Sequence, residues 1–142
     1  MKVLFVCKAN VGRSQVAQAM FEQLSKHEAS SAGADADGVF ARDPRPSRQL
    51  KDGAARHSIP YMRERGVDIG ERVRTQLTPQ MAEEADKVIV ILPKEDWPDY
   101  LVESEKVVMW GFPDPVDMTP EGAWLIFDKV DERVQALVKE IG

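Results

Sequence analysis

Cys7 and Arg13, six residues apart near the start of the chain, are the side chains whose types and spacing fit a defined chemistry. A thiolate is a strong nucleophile, and a planar guanidinium can give two parallel hydrogen bonds to a tetrahedral oxyanion, a geometry lysine cannot reproduce. Lys8, Ala9, Asn10, Val11 and Gly12 lie between them, and Ser14 follows. Asn and Gly tolerate left-handed backbone better than other residues, so this stretch suits a tight loop. Backbone N–H groups from Lys8 to Arg13 would form an anion-binding nest, and a helix starting there would add its positive end. The same field favours thiolate over thiol at Cys7. The pattern therefore suits a cysteine nucleophile acting on a phosphate-like oxyanion. A cysteine followed six residues later by arginine arises by chance for roughly one cysteine in twenty, so the specificity must come from the surrounding elements. The competing reading of Cys7 is a buried structural thiol.

Those elements are present. Lys2 to Val6 is a short β-branched and aromatic run that suits a buried strand ending at Cys7. From Ser14, the residues Val16, Ala17, Met20, Phe21 and Leu24 recur at spacings of three and four, one apolar face of a helix stopping near His27. In open α/β sheets, ligands bind beyond the carboxyl ends of strands, where this strand, loop and helix unit puts Cys7. A second strand is expected over Glu28 to Ser31. Ala34 to Ala55, with Asp43-Pro44-Arg45-Pro46, reads as a long loop, and a helix follows over about Ala54 to Arg65, capped by Gly66. Thr78-Pro79 resembles an N-cap followed by proline at the first helical position, opening a helix to Ala85. Lys87 to Leu92 is the clearest strand, Pro93 to Leu101 a helical or turn segment, and Lys106 to Trp110 a fourth strand. Gly111-Phe112-Pro113-Asp114-Pro115 excludes regular structure. The last helix, from near Gly122, presents Trp124, Phe127, Val130, Val134, Leu137 and Ile141 as a stripe over the sheet. The fold class is α/β: a single domain spanning 1–142, with a four-stranded parallel sheet, helices on both faces and a phosphate-binding loop after the first strand.

Charge and composition narrow the partners. With 24 acidic and 19 basic residues, the net charge of -5 gives no general attraction to nucleic acid or an anionic membrane. Any basic function must be local. No apolar run approaches the roughly 20 residues of a membrane span. The apolar start of the chain lacks an export signal's cleavage pattern, and one cysteine among 142 residues cannot form an internal disulfide. A reducing cytoplasm is the expected location. No cluster of metal ligands stands out. Arg42, Arg45, Arg48, Lys51 and Arg56 could recognise an acidic substrate or cover the site, against the plainer reading of a solvated loop.

The stretch Cys7-x-x-Asn10-x-x-Arg13-Ser14 after Val3-Leu4-Phe5-Val6 resembles the phosphate loop of the low-molecular-weight protein tyrosine phosphatases and the related arsenate reductases that do not use the thioredoxin fold. Ser31-Ala32-Gly33, Arg65-Gly66-Val67-Asp68-Ile69, Leu77-Thr78-Pro79 with Ala85-Asp86, and Asp114-Pro115 fall in the same order as in that family. The resemblance implies a phosphomonoester hydrolase working through a phosphocysteine. Cys7 would attack phosphorus while Arg13 and the loop amides stabilise the equatorial oxygens. Ser14 would hydrogen-bond the thiolate, Asn10 supported by Ser31 would hold the loop, and Asp114 would act as general acid and then base. It implies no cofactor and no metal. The substrate would be a phosphorylated protein or a small phosphate ester, and phosphate, sulfate or arsenate would bind as oxyanions. Two departures stand out: Gly12 occupies the place where the family's phosphatases commonly carry a second cysteine, and Val116-Asp117 follows Asp114-Pro115 where aromatic residues are usual. Ser14-Gln15 and Trp110 to Pro115 look closer to the arsenate reductase branch, whose additional cysteines are missing. Reduction of arsenate would then need an external thiol such as glutathione or mycothiol. An inactive module that uses the loop only to hold phosphorylated partners is the alternative outside catalysis.

Overall fold

The computed structural model describes residues 1–53 and 55–142. Strand β1, Lys2–Cys7, is central because it is apolar on both faces, and its residues from Val3 to Cys7 are all buried. It pairs in parallel with β2, Glu28–Gly33, on one side and β3, Lys87–Val90, on the other; β4, Val107–Met109, adds to β3. The four-stranded order is β2-β1-β3-β4. The alternation of side chains along β1 sends Val3, Phe5 and Cys7 into one half of the core and Leu4 and Val6 into the other. The first half is closed by α1, Arg13–Leu24, α3, Ser58–Glu64, and α6, Pro120–Ile141. The second is closed by α4, Pro79–Glu84, and α5, Asp99–Val102, through Ala82 and Leu101, with Leu77 just ahead of α4. Helices thus cover both faces, as the alternating pattern implies. Among the described residues, no helix is long and apolar enough to cross a membrane.

The termini of these helices follow from local chemistry. Thr78 caps α4 by accepting the Met81 N–H at 3.2 Å, with Pro79 at the first turn. The same Thr-Pro device starts α6: the Thr119 hydroxyl accepts the Gly122 N–H at 3.2 Å, so the helix begins at Pro120, two residues before the periodicity alone indicates. Phe127, Val130, Val134 and Leu137 are buried, and they pack with α1 and α3 rather than lying directly over the sheet alone. At the end of α3, Gly66 takes φ 82°, and the Val67 N–H closes back on the Met62 carbonyl at 3.0 Å.

One segment differs from its sequence reading. The expected loop from Ala34 to Ala55 contains α2, Ala36–Arg42, and a single 3-10 turn, Leu50–Asp52. A seven-residue helix containing Gly38 spans too few turns to show a period of 3.6. Its stability comes from tertiary contacts: Ala36 is fully buried, and the Phe40 ring lies against the guanidiniums of Arg48 and Arg74. The helix expected from Ala54 begins at Ser58; Ala54 itself lies outside the described residues.

Candidate active site

β1 ends at Cys7, beside Gly33 of β2, and the chain turns through residues 8–12 into α1. This turn is crowded. A Cβ on Gly33 would sit 2.6 Å from the Lys8 carbonyl oxygen and 2.9 Å from the Asn10 nitrogen, so only glycine lets β2 approach the loop so closely. The loop is tied to that neighbour by the Ala34 N–H donating to the Cys7 carbonyl at 2.8 Å and the Asp35 N–H donating to the Lys8 carbonyl at 2.9 Å. Ser58 at the start of α3 fixes the other side, its hydroxyl donating to the Val11 carbonyl at 2.6 Å. The carbonyls of Cys7, Lys8 and Val11 are thereby engaged by neighbouring elements. Among the described residues, none of the amides from Lys8 to Arg13 donates to a protein acceptor.

Asn10 is fully buried and holds the turn in left-handed backbone, φ 60°. Its carboxamide oxygen accepts the Thr75 N–H at 2.9 Å and the Gln15 side chain at 3.1 Å, while its nitrogen donates to the Ser14 hydroxyl at 2.7 Å. Ser14 in turn lies 3.0 Å from Cys7 Sγ. Cys7 is buried at the base of a cavity.

Arg13 reaches into the same cavity. Its Nη1 donates to the carbonyls of Ile91 at 3.1 Å and Phe112 at 3.0 Å, at the carboxyl ends of β3 and beyond β4. Two anchors on one nitrogen fix the plane of the guanidinium. Nη2 is left 3.5 Å from Asp114 Oδ2. Asp114 is exposed at the rim, and its other oxygen accepts the Val116 N–H at 3.0 Å.

Cys7, Ala9, Val11, Gly12, Arg13 and Asp114 therefore line one cavity of about 320 Å³. Asn10 and Ser14 lie behind that wall, and Lys8 is exposed and does not line it. Ser31 is placed elsewhere. Its hydroxyl donates to Gln18 Oε1 at 2.6 Å on α1, and the support expected from it for Asn10 comes from Thr75 and Gln15. Register explains the difference: Ser31 sits opposite Phe5, two positions short of Gly33, where β2 meets the loop. Sequence reasoning missed Gln15, Ser58, Thr75 and Arg74. The signal for Gln15 was a polar residue beside the apolar Val16 in a buried first turn; Arg74, only 3% exposed on the cavity wall, has no comparable marker in its Val73-Arg74-Thr75-Gln76 surroundings.

His57 also lines the cavity, and burial pushes its pKa down, with Arg56 adding to the effect and a hydrogen bond to the Met118 backbone opposing it. Among the described residues, no group of three or more His, Cys, Asp and Glu side chains is placed to hold a metal ion.

Known proteins share the sequence pattern and the fold of this chain. The family model for low molecular weight phosphotyrosine protein phosphatase matches residues 2–142. An arsenate reductase of Halalkalibacterium halodurans is 25% identical, with 96% of this chain and 91% of that protein covered. A protein-arginine-phosphatase of Bacillus subtilis is 29% identical over 64% of this chain and 55% of its own length. The solved structure of Vibrio vulnificus Wzb in complex with benzylphosphonate shares the fold, with a TM-score of 0.80 at 24% identity, covering 98% of this chain and 97% of that one.

Proposed function

The chain belongs to the low molecular weight phosphotyrosine protein phosphatase family, and from that premise we propose that it hydrolyses phosphate monoesters through a phosphocysteine formed on Cys7. The observation that carries the reading is the hydrogen-bond chain from Asn10 through Ser14 to Cys7, at the base of a cavity that Arg13 and Asp114 also line.

In the first step Cys7 Sγ attacks phosphorus, the P–S bond forms and the ester P–O bond breaks. Asp114 hands its proton to the departing oxygen. In the second, water gives a proton to Asp114 and attacks phosphorus, the P–S bond breaks, and inorganic phosphate leaves with the thiolate restored. Arg13 and the amides of Lys8, Ala9, Asn10, Val11 and Gly12 carry the charge on the equatorial oxygens through both steps. Ser14 donates to the sulfur and stabilises it as nucleophile and as leaving group. The benzylphosphonate held by the Vibrio vulnificus protein and the activity named for the Bacillus subtilis relative support a phosphorylated protein or a small phosphate ester as substrate.

A second reading is favoured by one specific finding, the arsenate reductase relative matched over 96% of this chain. Cys7 would then attack arsenic in place of phosphorus. Because Cys7 is the only cysteine, the two electrons that turn arsenate into arsenite would come from two external thiols, which leave as a disulfide.

The purified protein is incubated with an aryl phosphate and, separately, with arsenate plus glutathione, each beside a Cys7→Ser control. Phosphate release that drops at least about a thousandfold in the control is the expected result. Hydrolysis at the parent rate without Cys7 would end the proposal, and arsenite formation without ester hydrolysis would move the chain to the reductase reading.

A further inference from the structure

Arg74 is a buried cation that makes no ion pair among the described residues. It is 3% exposed, yet its Nε and Nη2 have no hydrogen-bond partner, and no carboxylate among the described residues is paired with it. Its guanidinium rests 4.7 Å from the centre of the Phe40 ring, a contact that returns only part of the cost of desolvating a full charge. Two further arginines, Arg48 and Arg45, repel it. Burial first, then those neighbours, push its pKa below the usual arginine value, with Asp43 alone opposing.

Of the carboxylates nearby, three are engaged, and Asp117, also on the cavity, is not paired with Arg74 among the described residues. Asp43 is 2.8 Å from Arg45, Asp37 is 2.8 Å from Arg48, and Asp114 is beside Arg13. Arg56, on the same cavity, donates to the Val116 carbonyl at 2.6 Å and, among the described residues, has no carboxylate partner. In a chain with a net charge of -5, the wall of this cavity carries four arginines against three aspartates, an excess of positive charge. A buried, unpaired guanidinium is costly unless an anion completes it.

We propose that Arg74, with Arg56, forms a second anion subsite in the cavity that holds Cys7 and Arg13, so that the preferred ligand carries a further carboxylate or phosphate close to the phosphoryl group. The name substrate for that ligand rests on the hydrolase reading; the binding of two anions does not. The subsite selects within phosphate esters: an aryl phosphate with one charged group fills the loop and leaves Arg74 unpaired, whereas a doubly anionic one satisfies both.

Binding of phenylphosphonate, its 3- and 4-carboxylated forms, and phenylene diphosphonates to the wild-type protein is measured by calorimetry at low salt, where no turnover is needed. At least one doubly anionic ligand should bind about tenfold or more tightly than phenylphosphonate, and the carboxylate and diphosphonate arms show which second anion fits. In Arg74→Gln that advantage should fall to about onefold. Arg56→Gln, at an exposed position, should reduce it several-fold even if the Arg74 variant proves unstable. Equal affinity for singly and doubly anionic ligands in the wild type would overturn the subsite, and so would an advantage that persists in Arg56→Gln and Arg74→Gln. Failure of the hydrolase reading appears separately, as absence of ester cleavage with the affinity difference intact.

Discussion

The Asn10 carboxamide donates to the Ser14 hydroxyl at 2.7 Å, and the direction of that bond decides what Ser14 can offer Cys7. The amide cannot be turned the other way, because its oxygen must face the Thr75 N–H at 2.9 Å. With one of its lone pairs occupied by Asn10, the serine hydroxyl keeps its single proton available to Cys7 Sγ, 3.0 Å away, whenever the sulfur carries the charge. In the proposed cycle a donor to sulfur stabilises the charge it carries in the attack, and again when sulfur leaves phosphorus.

Ser14→Ala should therefore slow two different reactions of Cys7. Alkylation by iodoacetamide at neutral pH should fall several-fold, and kcat for an aryl phosphate by about ten- to a hundredfold, the scale of one or two kcal/mol of hydrogen bonding to a charged group. Asn10→Gly, which keeps the φ of 60° accessible, should follow the same direction. Unchanged alkylation in both variants would show that Ser14 takes its proton elsewhere.

Asp114 stands at the cavity rim, 3.5 Å from Arg13, where an incoming oxyanion would displace it from the guanidinium. A general acid matters most when the leaving oxygen is a poor leaving group. Asp114→Asn should lower kcat for phenyl phosphate by about a hundred- to ten-thousandfold and for 4-nitrophenyl phosphate by much less. Equal losses on the two esters would assign Asp114 to holding Arg13 instead.

The contrast between what could and could not be read beforehand follows the range of the interactions. β1, the turn after it and α1 are legible because a continuous apolar run, an Asn-Gly-bearing gap and a helical period stand next to one another in the chain. Thr78-Pro79 announces α4 by a contact three residues long. Ser31, expected to support Asn10, bonds Gln18, because which position of β2 meets the loop depends on register with β1. Arg74 becomes visible only when α2 brings Phe40 over it. Such contacts join residues far apart in sequence and leave no periodic trace.

Gly33 offers a test of how tightly the loop is built. In Gly33→Ala the new methyl would meet the Lys8 carbonyl oxygen at 2.6 Å, a backbone atom that cannot rotate away, so the loop itself must shift. The cost should be about 1–3 kcal/mol of stability in urea unfolding, accompanied by a loss of inorganic phosphate affinity. A variant that binds phosphate as the parent does would mean that the loop adjusts without losing its anion-binding shape.

His57 gives the stability a pH dependence with a defined sign. Its Nε2 is buried without a partner, and its pKa in the folded protein lies below the 6.5 of a free histidine, through burial first and then Arg56, against the hydrogen bond to the Met118 backbone. Between the folded value and 6.5 the unfolded chain binds the extra proton, so stability rises with pH across that window. The contribution is fully present above pH 6.5 and is lost as the pH falls toward the folded value. Urea midpoints measured at about pH 7.5 and 5.5 should drop more in the wild type than in His57→Gln, because the other titrating groups are common to both. Asp117 lines the same cavity, and if it paired with a protonated His57 it would reverse the sign. A smaller drop in the wild type than in His57→Gln would reveal that pairing and refute the neutral histidine.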